Sequence, residues 1–380
     1  MKIRSTVLTL LALAPLACGA PKADTAKPEP APAPAPAPVV KNVKPIPEGF
    51  FVLTPQITVK GVDQAVDFYA RAFGATKVLA IPGPDGKSMH AEIKIGDSIV
   101  FVDEEMEGSK SPLTLGGTPA SLMIYVASAD QTFAAATTAG AKTEMPLEDQ
   151  FWGDRYGSLI DPFGHRWAIA THIEDLTAEQ TQQRAAIMFG ADGSKKAKKP
   201  AKAGKKAPAE PAWKKVAGTP ASKPVPTGYH SVTLALTVKN AAEAINFYKL
   251  AFGALEVERI AFPDGKIMHA ALEFGDSRLM LGDEMLDMLD MGAKSATTLG
   301  GSPVAIHFYT PDVDATFTKV TGAGARSVMP VADMFWGDRY GAVVDPSGFM
   351  WGIATHKEDV TPQQMGERLK ADMAKQKPTT

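Results

Sequence analysis

The chain has 380 residues, and its Lys and Arg residues nearly balance its Asp and Glu residues, which leaves a formal net charge of −2. This length allows two or three ordinary domains, and the charge gives no global signature of nucleic-acid binding. Cys18 is the one cysteine, so the sequence excludes an intrachain disulfide and a cysteine metal cluster.

The N-terminus has the pattern of an export signal. A short positive segment precedes an apolar stretch of about ten residues, Val7 to Leu16, which is shorter than the roughly 20 residues that span a bilayer. The stretch ends at Cys18 and resembles a bacterial lipoprotein signal, so we predict a signal peptide over residues 1–18 and lipidation of Cys18. The expected location is the bacterial cell envelope, as a membrane-anchored lipoprotein facing the periplasm or in the outer membrane; plain secretion is the alternative.

Two segments have compositions that do not build a core. Residues 19–47 are rich in Lys, Pro and Ala, and their Pro-Ala alternation favours an extended, semi-rigid tether. Residues 194–227 are rich in Lys, Ala and Pro and are predicted to be a flexible linker. Its lysines could touch anionic lipid head groups or cell-wall polymers, although a solvated spacer is the simpler interpretation.

The rest of the chain is two copies of one globular unit, residues 48–193 and 228–376. In each copy a strand pattern precedes an amphipathic helix, predicted at 62–73 and 241–252 from the apolar spacing and the glycine that follows. Further strands follow, with a Gly-Asp turn between them. The order then begins again inside each copy, so each copy holds two βαβββ modules and the chain holds four.

A seven-residue motif, FWGDRYG, occurs at 151–157 and again at 335–341. Each occurrence is followed by an Asp-Pro-x-Gly turn and then by Ile-Ala-Thr-His. Identical long motifs in the same order identify a tandem duplication. Counterpart residues lie 179 positions apart in the first and third modules and 184 apart in the second and fourth.

Four βαβββ modules with these motifs resemble the vicinal-oxygen-chelate (VOC) superfamily, which has the glyoxalase/bleomycin resistance/dioxygenase fold. The Met-His-Ala-Glu strand at 89–92, the Gly-Asp-Ser turn at 96–98 and the FWGDRYG motif resemble its PhnB-like branch. The resemblance implies an α+β fold of two tandem VOC domains, each with paired βαβββ modules that form a curled mixed sheet around a cavity. Because relatives pair as homodimers, it also implies that the two copies pair within the chain or that two chains form a homodimer.

Metal-using members of the superfamily carry His or Glu at four strand positions. By the resemblance, these positions fall at Thr54, Phe101, Ser121 and Ala168 in the first copy and at Thr233, Met280, Ala305 and Gly352 in the second. None of these side chains is a good ligand for zinc or iron. We therefore predict no metal and no other cofactor, and we expect a divalent metal only if the protein is an enzyme.

The strand around His90 supplies the polar candidates. Alternation along the strand puts His90 and Glu92 on the face opposite the apolar residues, and His269 holds the counterpart position in the second copy. A histidine can act as an acid or a base near neutral pH, so His90, Glu92 and His269 are candidate catalytic or binding residues. A hydrogen-bonded structural histidine is the alternative, and Glu92 has Ala271 as its counterpart.

The repeated heptad offers flat aromatic surfaces and a planar cation. We predict ligand binding by six of its side chains: Trp152, Arg155, Tyr156, Trp336, Arg339 and Tyr340. The structural alternative is an Asp154–Arg155 pair that pins a loop while the aromatic rings close one end of the sheet. His172 and His356 end the last strands of the two copies, where a packing role is expected.

Three functions from different classes stay open at this point. The first hypothesis is an exported protein that binds or sequesters a small, partly aromatic or anionic molecule without metal catalysis. The second is an enzyme of the glyoxalase or dioxygenase class that uses a divalent metal. The third is a structural protein of the cell envelope with no ligand.

Overall fold

The computed structural model describes residues 43–83, 85–189, 210–262, 264–285 and 294–375. The predicted signal peptide with Cys18, the tether up to residue 42 and the lysine-rich part of the linker lie outside these residues, so what we predict for them stays a prediction. Within the described ranges, no helix is long and apolar enough to cross a membrane.

Each module has the predicted order of one strand, one helix and three strands. The first comprises β1 (Leu53–Val59), α1 (Val62–Phe73), β2 (Thr76–Pro82), β3 (Ser88–Ile95) and β4 (Ser98–Glu104). The second begins with a short helix and comprises α2 (Pro112–Leu115), β5 (Ala120–Tyr125), α3 (Ala129–Ala139), β6 (Lys142–Asp149), β7 (Asp154–Ile160) and β8 (Arg166–His172). It is followed by β9 (Glu174–Asp175), α4 (Ala178–Phe189), a 3₁₀ turn (Ala212–Lys215) and β10 (Thr219–Pro220).

The second copy repeats this order. The third module comprises β11 (Val232–Val238), α5 (Ala241–Phe252), β12 (Leu255–Ala261), β13 (Ile267–Phe274) and β14 (Ser277–Asp283). The fourth comprises α6 (Ala296–Leu299), β15 (Val304–Tyr309), α7 (Val313–Gly322), β16 (Arg326–Asp333), β17 (Asp338–Val344) and β18 (Met350–His356), and α8 (Pro362–Lys375) follows it.

Local sequence explains where the long helices begin and end. α1 ends at Gly74, whose φ of 67° lies in the left-handed region that glycine adopts without a Cβ clash. Asn240 begins α5, because its side chain accepts a hydrogen bond from the Glu243 N–H. The predicted bounds 62–73 and 241–252 are confirmed.

Sixteen of the strands given above form two mixed eight-stranded sheets, and β9 pairs with β10. In the first sheet the order is β16-β17-β18-β15-β1-β4-β3-β2, so the first and fourth modules join through the antiparallel pair β1–β15. In the second sheet the order is β12-β13-β14-β11-β5-β8-β7-β6, so the second and third modules join through β11–β5. The α+β architecture of two tandem domains with mixed sheets is confirmed. The expectation that the two modules of one copy form one sheet is wrong, because each sheet takes one module from each copy.

The two copies therefore pair within the chain, which is one of the two arrangements that the resemblance implied. The modules of one copy meet through their helices: α1 packs on α3, and the Tyr69 hydroxyl on α1 donates to Asp161 at 2.9 Å. Tyr248 donates to Asp345 in the same way at 2.8 Å. Both carboxylates belong to the repeated Asp-Pro-x-Gly turns, so these turns fix the helices of one module to the strands of the next.

The C-terminal part of the predicted flexible linker is docked on the first copy. Trp213 is 7% exposed, and the Arg184 guanidinium of α4 lies over its ring at 5.1 Å. Arg184 Nε also donates to the Val216 carbonyl at 2.7 Å, and Arg184 pairs with Glu174 at 2.7 Å. The prediction of a flexible linker is therefore wrong for residues 210–227. The buried Trp213 anchors this stretch, although its overall composition is that of a spacer.

Candidate functional site

Each sheet has one face packed on helices and an opposite face, which we call the inner face. On β3, Ala91 and Ile93 are buried in the helix-side core. Because side chains alternate along a strand, His90 and Glu92 lie on the inner face of the first sheet, as the sequence predicts.

His90 is the centre of a polar cluster on this inner face. Its Nδ1 lies 2.6 Å from one carboxylate oxygen of Asp103, and Gln56 Nε2 donates to the other oxygen at 2.5 Å. Its Nε2 lies 3.9 Å from Glu92. Burial lowers the pKa of His90, but Asp103 and Glu92 outweigh burial and raise that pKa to about 9. His90 is therefore a cation at neutral pH, with Asp103 as its counter-ion.

A second histidine, His307 on β15, lies on the same inner face and was missed from the sequence. It is 5% exposed, and its ring contacts Phe101, Tyr309 and Tyr340 at centroid distances of 5.4, 4.6 and 5.7 Å. Burial lowers its pKa to about 4, so it is neutral at pH 7. Its Nε2 has no hydrogen-bond partner among the described residues, and buried polar atoms normally have one.

Aromatic rings connect the two histidines. His90 lies 5.3 Å from the Phe101 ring, which also contacts His307. Phe50, in the segment before β1, lies on Phe101 and Tyr309 at 5.9 and 5.8 Å. The inner face of the first sheet is therefore a polar and aromatic surface with Phe50 over one part of it.

Carboxylates of the first sheet act on the two tyrosines of its inner face, Tyr309 and Tyr340. Burial and then Asp338 and Glu92 raise the pKa of Tyr309 well above its usual value. Burial and then Asp103 raise the pKa of Tyr340 to about 12. Glu92 and Asp103 lie on β3 and β4, whereas the tyrosines lie on β15 and β17, so four strands bring their polar side chains together on the inner face.

Tyr340, a predicted binding residue, lies on the inner face because Gly352 leaves room for its ring. A Cβ on Gly352 would lie 2.6 Å from the Tyr340 ring and hydroxyl. Trp336 contacts the other side of Tyr340, with ring centroids 5.7 Å apart. Tyr156 and Trp152 form the corresponding pair on the second sheet, at 5.4 Å.

The aspartate of the heptad collects hydrogen bonds at one end of the inner face. Asp338 accepts from Trp336 Nε1 at 3.2 Å and from the Tyr309 hydroxyl at 3.4 Å, and His356 Nδ1 lies 2.7 Å away. Asp154 has the same three partners in the second sheet: Trp152, Tyr125 and His172. His172 and His356 also contact a second aspartate each, Asp175 and Asp359, through Nε2.

The ion pair between Asp154 and Arg155 that the sequence suggested as an alternative is not formed, because consecutive strand residues point to opposite faces of the sheet. The Arg155 guanidinium instead binds both carboxylate oxygens of Asp130 at 2.6 Å and Asp149 at 3.2 Å. Arg339 binds Asp314 and Asp333 in the same way. Ligand binding by these arginines stays a prediction, but the geometry gives each of them two carboxylate partners away from the inner face.

The inner face of the second sheet is packed with apolar side chains. Its buried residues form one cluster: Met123, Tyr125, Ala168, Ala170 and Met280. Tyr229, the counterpart of Phe50, packs against this cluster together with Val225. His269 remains at its edge, with Nε2 at 3.8 Å from Glu258. The second sheet thus keeps a histidine at the position of His90, but Met280 and Met123 stand where the first sheet has Phe101 and His307.

The metal positions of the superfamily do not fit a metal in either sheet. Thr54, Phe101, Ala305 and Gly352 meet in the first sheet, and Thr233, Met280, Ser121 and Ala168 meet in the second. These side chains supply no imidazole, carboxylate or thiolate, and zinc or iron sites need three or four such groups. Among the residues that the structure covers, no three His, Cys, Asp or Glu side chains are placed to hold a metal ion.

Comparison with known families agrees with this fold. Residues 52–169 and 230–353 match the model of the Glyoxalase/Bleomycin resistance protein/Dioxygenase superfamily. The chain belongs to this superfamily. Both matches fall within the two copies, so the duplication of a superfamily domain is confirmed.

Similar proteins narrow the relationship without giving a reaction. An uncharacterised protein of Mycobacterium bovis is 40% identical over 146 residues, which cover 37% of this chain and 95% of that protein. An uncharacterised protein of Arabidopsis thaliana is 29% identical over 134 residues, covering 34% and 80%. The crystal structure of glyoxalase I from Zea mays has a TM-score of 0.50 at 15% identity and covers 86% of this chain and 96% of that one, which supports the shared superfamily fold alone.

Proposed function

We propose that this protein binds or sequesters a small organic molecule on the inner face of the first sheet, without metal catalysis. One observation carries the proposal: the buried His307 Nε2 has no partner among the described residues. It lies on a polar and aromatic surface shared with His90 and Phe101. A ligand that bonds to this nitrogen would satisfy it and cover the rings around it.

The duplication supplies a direct test, because the second sheet carries methionine at the positions of His307 and Phe101. Met123 is the counterpart of His307, and the two side chains have similar size. In a screen of flat aromatic fragments by ligand-observed NMR, we expect His307→Met to weaken every hit by about tenfold or more. The matched control Met123→His should leave these hits unchanged. Equal losses in both variants, or two equivalent sites per chain, would contradict the proposal.

The alternative is an enzyme of the glyoxalase or dioxygenase class that uses a divalent metal. We propose the binding function over it because the superfamily's metal positions carry Thr, Phe, Ala and Gly in the first sheet. Elemental analysis of protein purified after growth with zinc, iron, manganese and nickel tests this choice. Binding without metal predicts a content far below one ion per chain, whereas about one ion per domain would favour the enzyme.

We also propose that the chain is exported and held at the cell envelope through a lipid on Cys18. The support is the basic start, the apolar stretch and the cysteine that follows it. Cells fed a labelled fatty acid should yield a labelled, membrane-bound protein, and Cys18→Ser should lose the label. A wild-type protein that is unlabelled and found outside the cells would support plain secretion instead.

A further inference from the structure

We propose that the inner face of the first sheet selects flat organic cations that carry N–H donors, such as protonated aromatic amines. This inference rests on the proposed function, because it names the ligand class of the same site. It also differs from the anionic ligand that the arginines of the heptad suggested from the sequence.

Glu92 provides the negative charge that such a ligand would meet. Its side chain is 17% exposed, and its closest charged neighbour is His90 Nε2 at 3.9 Å, which is too long for a hydrogen bond. His90 therefore offsets part of the Glu92 charge electrostatically without a direct hydrogen bond at this distance. A partly buried carboxylate gains most from a charged donor, and an ammonium or aminium N–H group is such a donor.

The aromatic rings of the inner face suit a flat cation as well. Phe101, Tyr309 and Tyr340 surround His307, and the faces of aromatic rings attract cations. With its proton on Nδ1, the neutral His307 ring would offer the Nε2 lone pair to a second N–H group. The site thus combines a carboxylate, a neutral acceptor and ring faces, all of which favour a donor-bearing cation.

An anion would find few free partners on this surface. The positive charge of His90 is already compensated by Asp103 at 2.6 Å, and Arg339 is bound to Asp314 and Asp333 away from the inner face. Lys94, the next inner-face residue of β3, is exposed at the end of the strand. A carboxylate ligand would therefore approach Glu92 and Asp103 without an uncompensated cation beside them on this face.

Three probes with one shared frame test the charge preference: 4-aminoquinoline, which is a cation at neutral pH, neutral quinoline, and the anion quinoline-4-carboxylate. Titration calorimetry on the full chain should rank them in this order, with the cation at least about tenfold tighter than the anion. Glu92→Gln should weaken the cation by about tenfold and leave quinoline unchanged. Glu258→Gln in the second sheet is the matched control and should change none of the affinities.

The outcomes separate this inference from the proposed function. If the carboxylate binds as tightly as the amine, or if Glu92→Gln leaves the amine unchanged, the ligand class is wrong; the site itself stands as long as His307→Met weakens the probes that bind. If no probe binds the wild-type chain, or if His307→Met affects none of them, both proposals fail. Should Glu92→Gln fold poorly, Glu92→Ala places in the first sheet the residue that the second sheet carries at Ala271.

Discussion

The two sheets have the same strand order and the same helices, but their inner faces carry different chemistry. On the first, His90, Asp103 and His307 surround Phe101; on the second, the counterparts of Asp103, His307 and Phe101 are Gly282, Met123 and Met280. The second face consequently packs as an apolar cluster, whereas the first keeps an unpartnered imidazole nitrogen. Both sheets thus keep the helix-side core, whereas the residues of their inner faces differ without a change in strand order.

The largest loss of stability on the second face is expected at Met280, which is 5% exposed. We expect Met280→Ala to lower the free energy of unfolding by about 2–4 kcal/mol, because the truncation leaves a cavity among Met123 and its neighbours. Denaturant unfolding measures the loss. The control Met106→Ala, at a side chain that is 51% exposed, should change stability by less than about 0.5 kcal/mol. A small effect at Met280 would mean that the apolar cluster of the second face contributes little to stability.

The charge on the first face predicts a pH dependence of stability. The folded-state pKa of His90 is raised to about 9, above the roughly 6.5 of an unfolded chain. Its contribution is therefore complete below about pH 6.5 and is lost as the pH rises through about 9, with an upper limit of about 3 kcal/mol. Other histidines with raised pKa values, such as His172 and His356, act in the same direction.

Substitution of His90 separates its contribution to the pH dependence of stability from that of the other histidines. His90→Gln should flatten the fall in unfolding free energy between pH 6.5 and pH 9, and an NMR titration should find the His90 imidazole still protonated at pH 8. Asp103→Asn should bring this titration back toward the ordinary histidine range, because it removes the counter-ion. If His90 titrates near pH 6.5 in the wild type, the charged cluster is not formed as described.

A smaller loss of stability is expected at Gly352 on the first sheet and at its counterpart Ala168 on the second. We expect Gly352→Ala to cost about 1–2 kcal/mol, because its Cβ would lie 2.6 Å from the Tyr340 ring and the ring would have to shift. Ligand binding on the first face should weaken with it. The reverse change on the second sheet, Ala168→Gly, should cost about 0.5–1 kcal/mol and leave ligand binding unaffected. Equal binding by wild type and Gly352→Ala would remove Tyr340 from the site.

The smallest effect is expected at the arginines of the heptad. Arg155→Gln and Arg339→Gln should leave ligand affinity unchanged in calorimetry, because both guanidinium groups bind carboxylates on the helix side of the sheets. A loss of affinity comparable to that of Glu92→Gln would restore the sequence-based prediction that these arginines contact the ligand.

The sequence predicted the modules well because their signals are local. Apolar spacing and a following glycine fixed the bounds of α1 and α5, and alternation placed His90 on the correct face. Which modules share a sheet could not be predicted in the same way. β1 pairs with β15, whose Phe308 stands opposite Leu53, and nothing in either strand distinguishes this distant partner from one within the same copy.

The site was only half predicted for a similar reason. His90 stands in a recognisable repeated motif, but His307 lies in a strand that is otherwise apolar and aromatic, and its counterpart is Met123. A systematic comparison of counterparts on inner-face positions would have found it, since that position changes from methionine to histidine. The partners of Arg155 are less accessible, because Asp130 lies 25 residues away on a helix and only the fold brings them together.

The exchange of modules between the sheets has a consequence for symmetry. In a homodimer of single-copy chains, each substitution appears on both inner faces, so neither face can change without the other. Here the first inner face is built from the first and fourth modules and the second from the second and third. A mutation of His307 or Met123 therefore alters one face alone. Joining the two copies in one chain allows the two inner faces to carry different residues, which an exact twofold axis forbids.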